Sequence, residues 1–341
     1  MNPTETWILE NLRPTKTTSA RLISDRSELQ SGGQLVGIYQ EPTPENTYHW
    51  RDTAICEAFA VAVCGTDRVI MDVGPGDGWP SLIIAPRCAK IIGIDPSDKR
   101  VGVQRGNAQR LGISNCEFRN MDIQDLAFPD NTFDGAVAAS SIEQADDPIK
   151  GLTEIYRVLK PGAKLAMTFE KYDDEVDTNS EEVCVEISES EYLLSYLVCE
   201  SKALREARYA IWFDHSILQN NEIRQIVNSI QASGSTWLAD HSLIELLRCL
   251  QTSIVNSCYY ELHHFSLRSL GNALAKIGFT DIRGFGCDIN SLMPFAEFAI
   301  TSGIAQNLKE TFMQVSSYFG AASVRFAKSG VGDFTIATKP I

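Results

Sequence analysis

Val69-Ile70-Met71-Asp72-Val73-Gly74-Pro75-Gly76-Asp77-Gly78 decides the reading of this 341-residue chain. A short apolar run of this kind, stopped by glycines, reads as a strand buried on both faces. Glycines at 74, 76 and 78 let a ligand approach the backbone where any Cβ would intrude. In open α/β sheets, ligands bind at the carboxyl end of such a strand. A dinucleotide fingerprint would place its third glycine at position 79, which is Trp79. The pattern here is D-x-G-x-G-x-G, without the glycine that packs helix on strand around a pyrophosphate, and that opposes a nicotinamide enzyme.

Outward from this loop, strands and helices alternate. Ile91-Ile92-Gly93-Ile94-Asp95 is a second strand, followed by weaker or longer ones at 116–121, 133–139 and 164–169. A helix over 148–159 carries Ile149, Leu152, Ile155, Tyr156 and Leu159 at helical spacing and stops at Lys160-Pro161-Gly162. Alternation of this kind implies a parallel sheet covered on both faces. Asp95 falls 21 positions after Gly74, where a carboxylate accepts both hydroxyls of a ribose; its other reading is a cap for the helix beginning near Ser97. The alternation then breaks. Residues 171–264 open acidic and continue with helix-like patterns at 191–211 and 241–255, so they read as a mostly helical cap. The base pattern resumes with a helix over 266–277 and a strand near 278–282. A second insertion at about 288–332 precedes a last strand at 333–338. The expected divisions are an arm or lid at 1–50, a core at 51–170, the cap at 171–264 and the completion of the core at 265–341.

Three further stretches sharpen the reading. They are the run from Asn120-Met121-Asp122-Ile123 to Asp134, the run Ser140-Ser141-Ile142-Glu143-Gln144-Ala145-Asp146-Asp147-Pro148, and Glu154 through Pro161-Gly162. Together with the glycine loop and Asp95, they resemble class I S-adenosylmethionine-dependent methyltransferases. Within that class they are similar to the small-molecule group that includes the ubiquinone and menaquinone enzymes. The resemblance is strong over 66–170, weaker over 266–286 and 333–339, and absent from the arm and cap. It implies an α/β fold with a Rossmann-like doubly wound seven-stranded sheet, one strand antiparallel near the C-terminus, and the mostly helical cap as an insertion. The implied cofactor is S-adenosyl-L-methionine, the product S-adenosyl-L-homocysteine, and the partner a small organic acceptor.

The residues assigned to the cofactor are Asp72, Gly74, Pro75, Gly76, Gly78, Asp95, Pro96, Asp122, Ile123 and Ser140. In the family, an acid at the position of Asp122 meets the adenine amino group and the next amide, here Ile123, meets a ring nitrogen. Asp72 is placed to hold the cofactor's amino group, directly or through water, or to organise the loop. The chain departs from its relatives at Gln144, where many have histidine, at Pro75, and at Ala163. Candidates for proton transfer are His263, His264 and Glu143. Candidates for the acceptor are His49, Trp50, Gln144, Tyr192 and Trp212, with Tyr48-His49-Trp50 as a possible lid or an aromatic anchor for the arm. Two rival readings remain open: a silent S-adenosylmethionine-binding protein whose cap takes a partner, and a protein methyltransferase whose acidic stretch 173–182 attracts a basic tail.

The formal charge is −14, with 44 acids against 30 bases. That composition opposes a binder that tracks a nucleic-acid backbone and gives no reason to bind an anionic membrane surface. No run approaches the roughly 18 apolar residues of a membrane span. The first residues lack a basic segment followed by an apolar one, so a cytoplasmic protein is expected. Nine cysteines at irregular spacing suit reduced thiols. Five histidines form no H-x-x-x-H pair, so no metal is expected. The oligomeric state is left open.

Overall fold

The computed structural model describes residues 1–26, 42–187, 192–214, 221, 225, 240–286 and 306–341. In chain order, its elements begin with α1 (Pro3–Asn11), β1 (Thr15–Lys16), α2 (Thr47–Val63), β2 (Gly65–Val73), α3 (Ser81–Ile84) and β3 (Cys88–Asp95). Next come α4 (Asp98–Arg110), β4 (Cys116–Asn120), β5 (Phe133–Ala139), α5 (Pro148–Val158) and β6 (Leu159–Thr168). Then follow β7 (Asn179–Ile187), β8 (Tyr192–Glu200), β9 (Arg205–Phe213), α6 (Asp240–Leu250), β10 (Ile254–His263) and α7 (Leu267–Ile277). The chain closes with β11 (Thr280–Phe285), α8 (Gln306–Arg325), β12 (Lys328–Ser329) and β13 (Phe334–Thr338). These elements form two compact units, one of residues 1–22 and 172–264, the other of residues 23–171 and 265–341.

The larger unit is built on a sheet of order β12-β11-β13-β6-β5-β2-β3-β4. Pairs β2/β3, β2/β5, β3/β4 and β5/β6 are parallel, whereas β13 runs antiparallel to both β6 and β11. The alternation of side chains along β2 explains why its sequence is apolar throughout. Ile70 points to the layer of Ile55, Phe59 and Val63 from α2, and Met71 to the layer of Leu152 and Ile155 from α5 and Leu270 from α7. Successive strands run outward from β2 in one direction through β3 and β4, and in the other through β5 and β6. The reversal of order between β2 and β5 is the topological switch point, where the carboxyl ends of the strands leave a crevice. The count differs from the seven strands expected. The eighth, β12, is a two-residue edge pairing at Lys328–Ser329, too short to leave a period in the sequence.

The smaller unit overturns the helical cap. Its scaffold is a five-stranded sheet of order β1-β10-β9-β8-β7, antiparallel except where β1 joins β10. The stretch 191–211, expected to be helical, holds β8 and most of β9, joined by a turn in which Leu204 takes φ 53°. The reason lies in burial on both faces. Tyr192, Leu194, Tyr196 and Val198 point into one layer with Leu243, Leu246 and Leu247 of α6 and Ile8 of α1. Leu193 points the other way, toward Leu22, Tyr260 and Leu262. A strand covered on both sides loses its polar–apolar alternation and reads as an apolar helix. The helix expected at 241–255 is present but stops at Leu250. The arm is likewise divided: α1 and β1 belong to this unit, and residues 27–41 lie outside the described residues. Helix α2 begins at Thr47, where Asn46 caps it by accepting the Tyr48 amide at 3.0 Å. In the second insertion, 287–305 lie outside the described residues and α8 supplies a 20-residue helix.

Glu5 anchors α1 in the smaller unit. Its side chain is fully buried and accepts from Arg205 Nη2 at 2.7 Å, Tyr209 OH at 3.0 Å and the Asn2 amide at 3.2 Å. Burial alone would raise its pKa, but the Arg205 bonds and charge prevail and hold it below the usual glutamate range. Arg205 is also paired with Glu200 and Glu261, so loss of Glu5 leaves that charge compensated and strands mainly the buried Tyr209 hydroxyl. Glu5→Ala is therefore expected to lower the unfolding free energy of the full chain by about 1–3 kcal/mol in urea titrations. A loss below about 1 kcal/mol would place Glu5 in the class of weak surface pairs.

Candidate functional site

Asp72 is the last polar residue of β2 before the glycines, and it is completely buried. Its Oδ2 accepts from the Ser81 amide at 3.2 Å and the Ser81 hydroxyl at 2.5 Å, while its Oδ1 has no hydrogen-bond partner among the described residues. Desolvation pushes its pKa up to about 7, against the two Ser81 bonds, with the Asp95 charge adding to the rise. Beyond it, Gly74 and Gly78 have φ of 63° and 115°. A Cβ on Gly74 would stand 2.6 Å from Ser141 Cβ, and one on Gly78 would stand 2.3 Å from Leu82 Cδ1. These two positions require glycine both for backbone conformation and for space.

Asp95 ends β3 and is also buried. Its Oδ1 accepts from the Ser97 amide at 2.9 Å and its Oδ2 from Gln104 Nε2 at 3.2 Å. Desolvation raises its pKa to about 6, opposed by the Ser97 amide, Arg100 and Gln104. The cap of α4 is Ser97, which accepts the Arg100 amide at 3.1 Å and donates to Asp25 at 2.5 Å. Asp95 is therefore not needed as the cap. One face of α4 was missed by sequence reasoning. Gln104 Nε2 also donates to Gly76 O at 2.8 Å, and Asn107 Nδ2 donates to Asp77 O at 2.7 Å. Gln104 ties the glycine loop to Asp95, and both Gln104 and Asn107 are buried. The available signal was the spacing of Arg100, Gln104 and Asn107, four and three apart on a helix directly after an acidic strand end.

A cavity of about 600 Å³ opens at the switch point, within the usual range for small-molecule sites. Gly74, Pro75 and Gly76 of the loop line it, with His49, Arg51 and Asp52 of α2, Arg100 of α4, Ser140 after β5 and Phe169 after β6. The structure thus brings together Gly74, Pro75, Gly76, Ser140 and His49 from the residues singled out in the sequence. Asp72 and Gly78 lie in the same loop system without lining the cavity, and Pro96 is exposed. Asp122 is exposed in a turn, its Oδ1 accepting the Gln124 amide at 2.8 Å, and the Ile123 side chain packs into the core against Gly151. Both follow β4 at the carboxyl edge but do not line this cavity. His49 is buried and its Nδ1 accepts the Thr43 amide at 2.9 Å.

The other candidates are placed differently. Trp50 stacks on Phe312 of α8 at 5.1 Å and donates to Pro44 O, so it anchors the start of α2 rather than facing the cavity. Glu143 is fully buried and its Oε1 accepts the Glu170 amide at 2.8 Å, whereas Gln144 is exposed. His263, His264, Tyr192 and Trp212 belong to the smaller unit. There His263 is exposed, and His264 is buried, stacked on Tyr172 at 4.0 Å with Nε2 3.4 Å from Glu206. Tyr192 is part of that unit's core and Trp212 packs against Leu193, Tyr260 and Leu262. Among the described residues no group of three or more His, Cys, Asp or Glu is placed to hold a metal ion, and no helix is long and apolar enough to cross a membrane.

The raised pKa of Asp72 has a stability consequence. A carboxyl whose folded pKa lies above its unfolded value contributes stability below about pH 4 that is lost as pH rises through about 7. Between pH 5 and 8 the ligand-free protein is expected to lose more stability than its Asp72→Asn variant, which keeps an acceptor for Ser81. At pH 8 the variant should be the more stable by about 1–3 kcal/mol. Parallel pH profiles of the two proteins in chemical unfolding would contradict this.

Comparison with known proteins places likenesses over the same part of the chain. Residues 71–167 match the family described as methyltransferase domain. An uncharacterized methyltransferase of Bacillus subtilis, YcgJ, is 29% identical over 106 residues, covering 31% of this chain and 42% of its own. Demethylmenaquinone methyltransferase of Clavibacter sepedonicus is 32% identical over 122 residues, covering 36% and 47%. The crystal structure of YcgJ aligns over 34% of this chain and 51% of that one, at 26% identity and a TM-score of 0.33. The chain spans less than half the length of these curated relatives. The matched segment begins within β2 and ends within β6, so it contains Asp72, the glycine loop, Asp95, Asp122 and the switch point. Residues 71–167 are a class I S-adenosylmethionine-dependent methyltransferase domain.

Proposed function

We propose that the chain transfers the methyl group of S-adenosyl-L-methionine to a small organic acceptor. The observation that carries this reading is Asp72: a fully buried carboxylate with one oxygen unpartnered, under a glycine loop beside a cavity of about 600 Å³. An uncompensated buried acceptor of this kind suits a cationic group such as the cofactor's ammonium. The bound cofactor supplies an electrophilic sulfonium methyl for in-line attack. The protein's part is then to position, orient and exclude water. In this reading Asp72 holds the amino group, the loop from Gly74 to Gly78 permits close approach, and Asp95 accepts the ribose hydroxyls. The Asp122 carboxylate and the Ile123 amide receive the adenine. Gln104 keeps Asp95 and Gly76 in register.

The acceptor-side roles fall to other residues. His49, Arg51 and Phe169 line the cavity together with the loop. Glu143 and Gln144 remain assigned to the methyl-transfer side by family likeness, and His263 and His264 to proton transfer. Acceptor selection is assigned to the segment 171–264, and the named demethylmenaquinone relatives favour a small organic acceptor over a protein.

The test is calorimetry with S-adenosyl-L-homocysteine. Binding near micromolar affinity, about −8 kcal/mol, is expected, with none for nicotinamide dinucleotides. Asp95→Ala should weaken binding by about 2–4 kcal/mol, and Asp95→Asn, which keeps one acceptor oxygen for the Ser97 amide, should lose less. Turnover is then read as S-adenosyl-L-homocysteine formed when a metabolite extract is added with S-adenosyl-L-methionine. Dinucleotide binding without a response to S-adenosyl-L-homocysteine would overturn the cofactor assignment. Cofactor binding without turnover in any extract would overturn the catalytic one.

A further inference from the structure

At the amino edge of the large sheet, away from the glycine loop, two cysteines meet. Cys64 follows the last turn of α2 and Cys88 opens β3. Gly65 pairs in register with Cys88, and the two sulfur atoms lie 3.0 Å apart. All eight described cysteines are free thiols, and Cys287 lies outside the described residues. Among the described cysteines this is the one pair of thiols in hydrogen-bond contact. Neither takes part in the cofactor or acceptor assignments.

We infer that Cys64 and Cys88 are a redox-active pair that forms a reversible intramolecular disulfide with a peroxide as oxidant.

The surroundings suit that chemistry. The hydrogen bond between the two thiols pulls the Cys88 thiol below its ordinary pKa, with help from the Gly65 amide and the charges of Arg87 and Arg68, while burial opposes the shift. Cys64 is pushed up by the same hydrogen bond and by burial, so it keeps its proton. Both arginines are tethered nearby: Arg68 Nη1 donates to Val63 O at 3.0 Å, and Arg87 Nη1 pairs with Glu57 of α2 at 2.6 Å. Cys88 is buried at 7% exposure and its partner Cys64 is only partly buried, so a small oxidant such as a peroxide has to reach the pair from the Cys64 side. By contrast, burial raises Cys56 and lifts Cys116 to about 12, so those thiols stay inert.

The atoms balance in two steps. The Cys88 thiolate attacks one peroxide oxygen, the O–O bond breaks, hydroxide leaves, and Cys88 becomes a sulfenic acid. The Cys64 sulfur then attacks the Cys88 sulfur, and the Cys64 proton leaves with the sulfenic hydroxyl as water. Two electrons pass from the two sulfurs to the peroxide. The new bond closes a covalent ring over residues 65–87, which contains β2, Asp72 and the whole glycine loop. Such a ring restricts the opening of the segment it encloses.

The experiment uses the reduced full chain treated with stoichiometric hydrogen peroxide, alkylated and mapped by mass spectrometry without reductant. The expected result is a peptide linking Cys64 to Cys88, formed about tenfold faster than Cys56 or Cys116 is lost and reversed by dithiothreitol. In Cys64→Ser, a sulfenic acid at Cys88 should be trapped by dimedone. Hydrogen exchange over 65–87 should slow in the oxidised wild type and not in peroxide-treated Cys64→Ser. The inference is overturned if Cys64 and Cys88 stay alkylatable while other cysteines oxidise. It is equally overturned if either pairs with a different cysteine, or if exchange over 65–87 is the same in both redox states.

Discussion

A carboxyl group sealed from water at the end of a central strand is costly to ionise unless charge or hydrogen bonds compensate it. Asp72 is in that position, with Ser81 satisfying one oxygen and none of the described residues satisfying the other. Much of the surrounding structure follows from keeping it there. The apolar layers on both faces of β2 bury it, the parallel pairings to β3 and β5 fix its height, and the glycines after it turn the chain away above it. A site that is strained in isolation and relieved by a cation is preorganised for one.

The same region shows how a loop is held without being filled. Gln104 and Asn107 reach from α4 to the carbonyls of Gly76 and Asp77, and Gln104 spans to Asp95. These bonds satisfy backbone acceptors of the loop from behind, leaving its front to the cavity. Asp95 is thereby kept close enough to raise the cost of ionising Asp72, and Asp25 does the same to Asp95. Their tension is tolerated because α4 supplies Arg100 and Gln104 beside Asp95.

Much of this was legible in the sequence because the constraints there are local. An apolar run stopped by glycines at 74, 76 and 78, then an acid 21 positions later, can be read without knowing the rest of the chain. The alternation from 69 to 169 likewise announced the parallel part of the sheet. The smaller unit was misread because β8 and β9 are buried on both faces, so Tyr192 to Val198 shows no polar alternation to mark a strand. The two-residue β12 was too short to show a period. Arg100, Gln104 and Asn107 went unnoticed because polar residues on a helix usually face solvent, and only the fold turns that face inward. Trp50 illustrates the converse: its place beside His49 suggested a lid, and the structure instead stacks it on Phe312, a partner 262 positions away that no local pattern discloses.

The central claim is that Asp72 receives a cationic group through its unpartnered oxygen. Calorimetric titration with S-adenosyl-L-homocysteine at about pH 6, repeated in buffers of different ionisation enthalpy, counts the protons exchanged on binding. Since Asp72 is largely protonated there and must ionise to pair with the cofactor's ammonium, the account predicts release of about one more proton per ligand from the wild type than from the Asp72→Asn variant, in which only Asp95 titrates at the site. Tight binding by the wild type with no proton release, or the same release from both proteins, would contradict it.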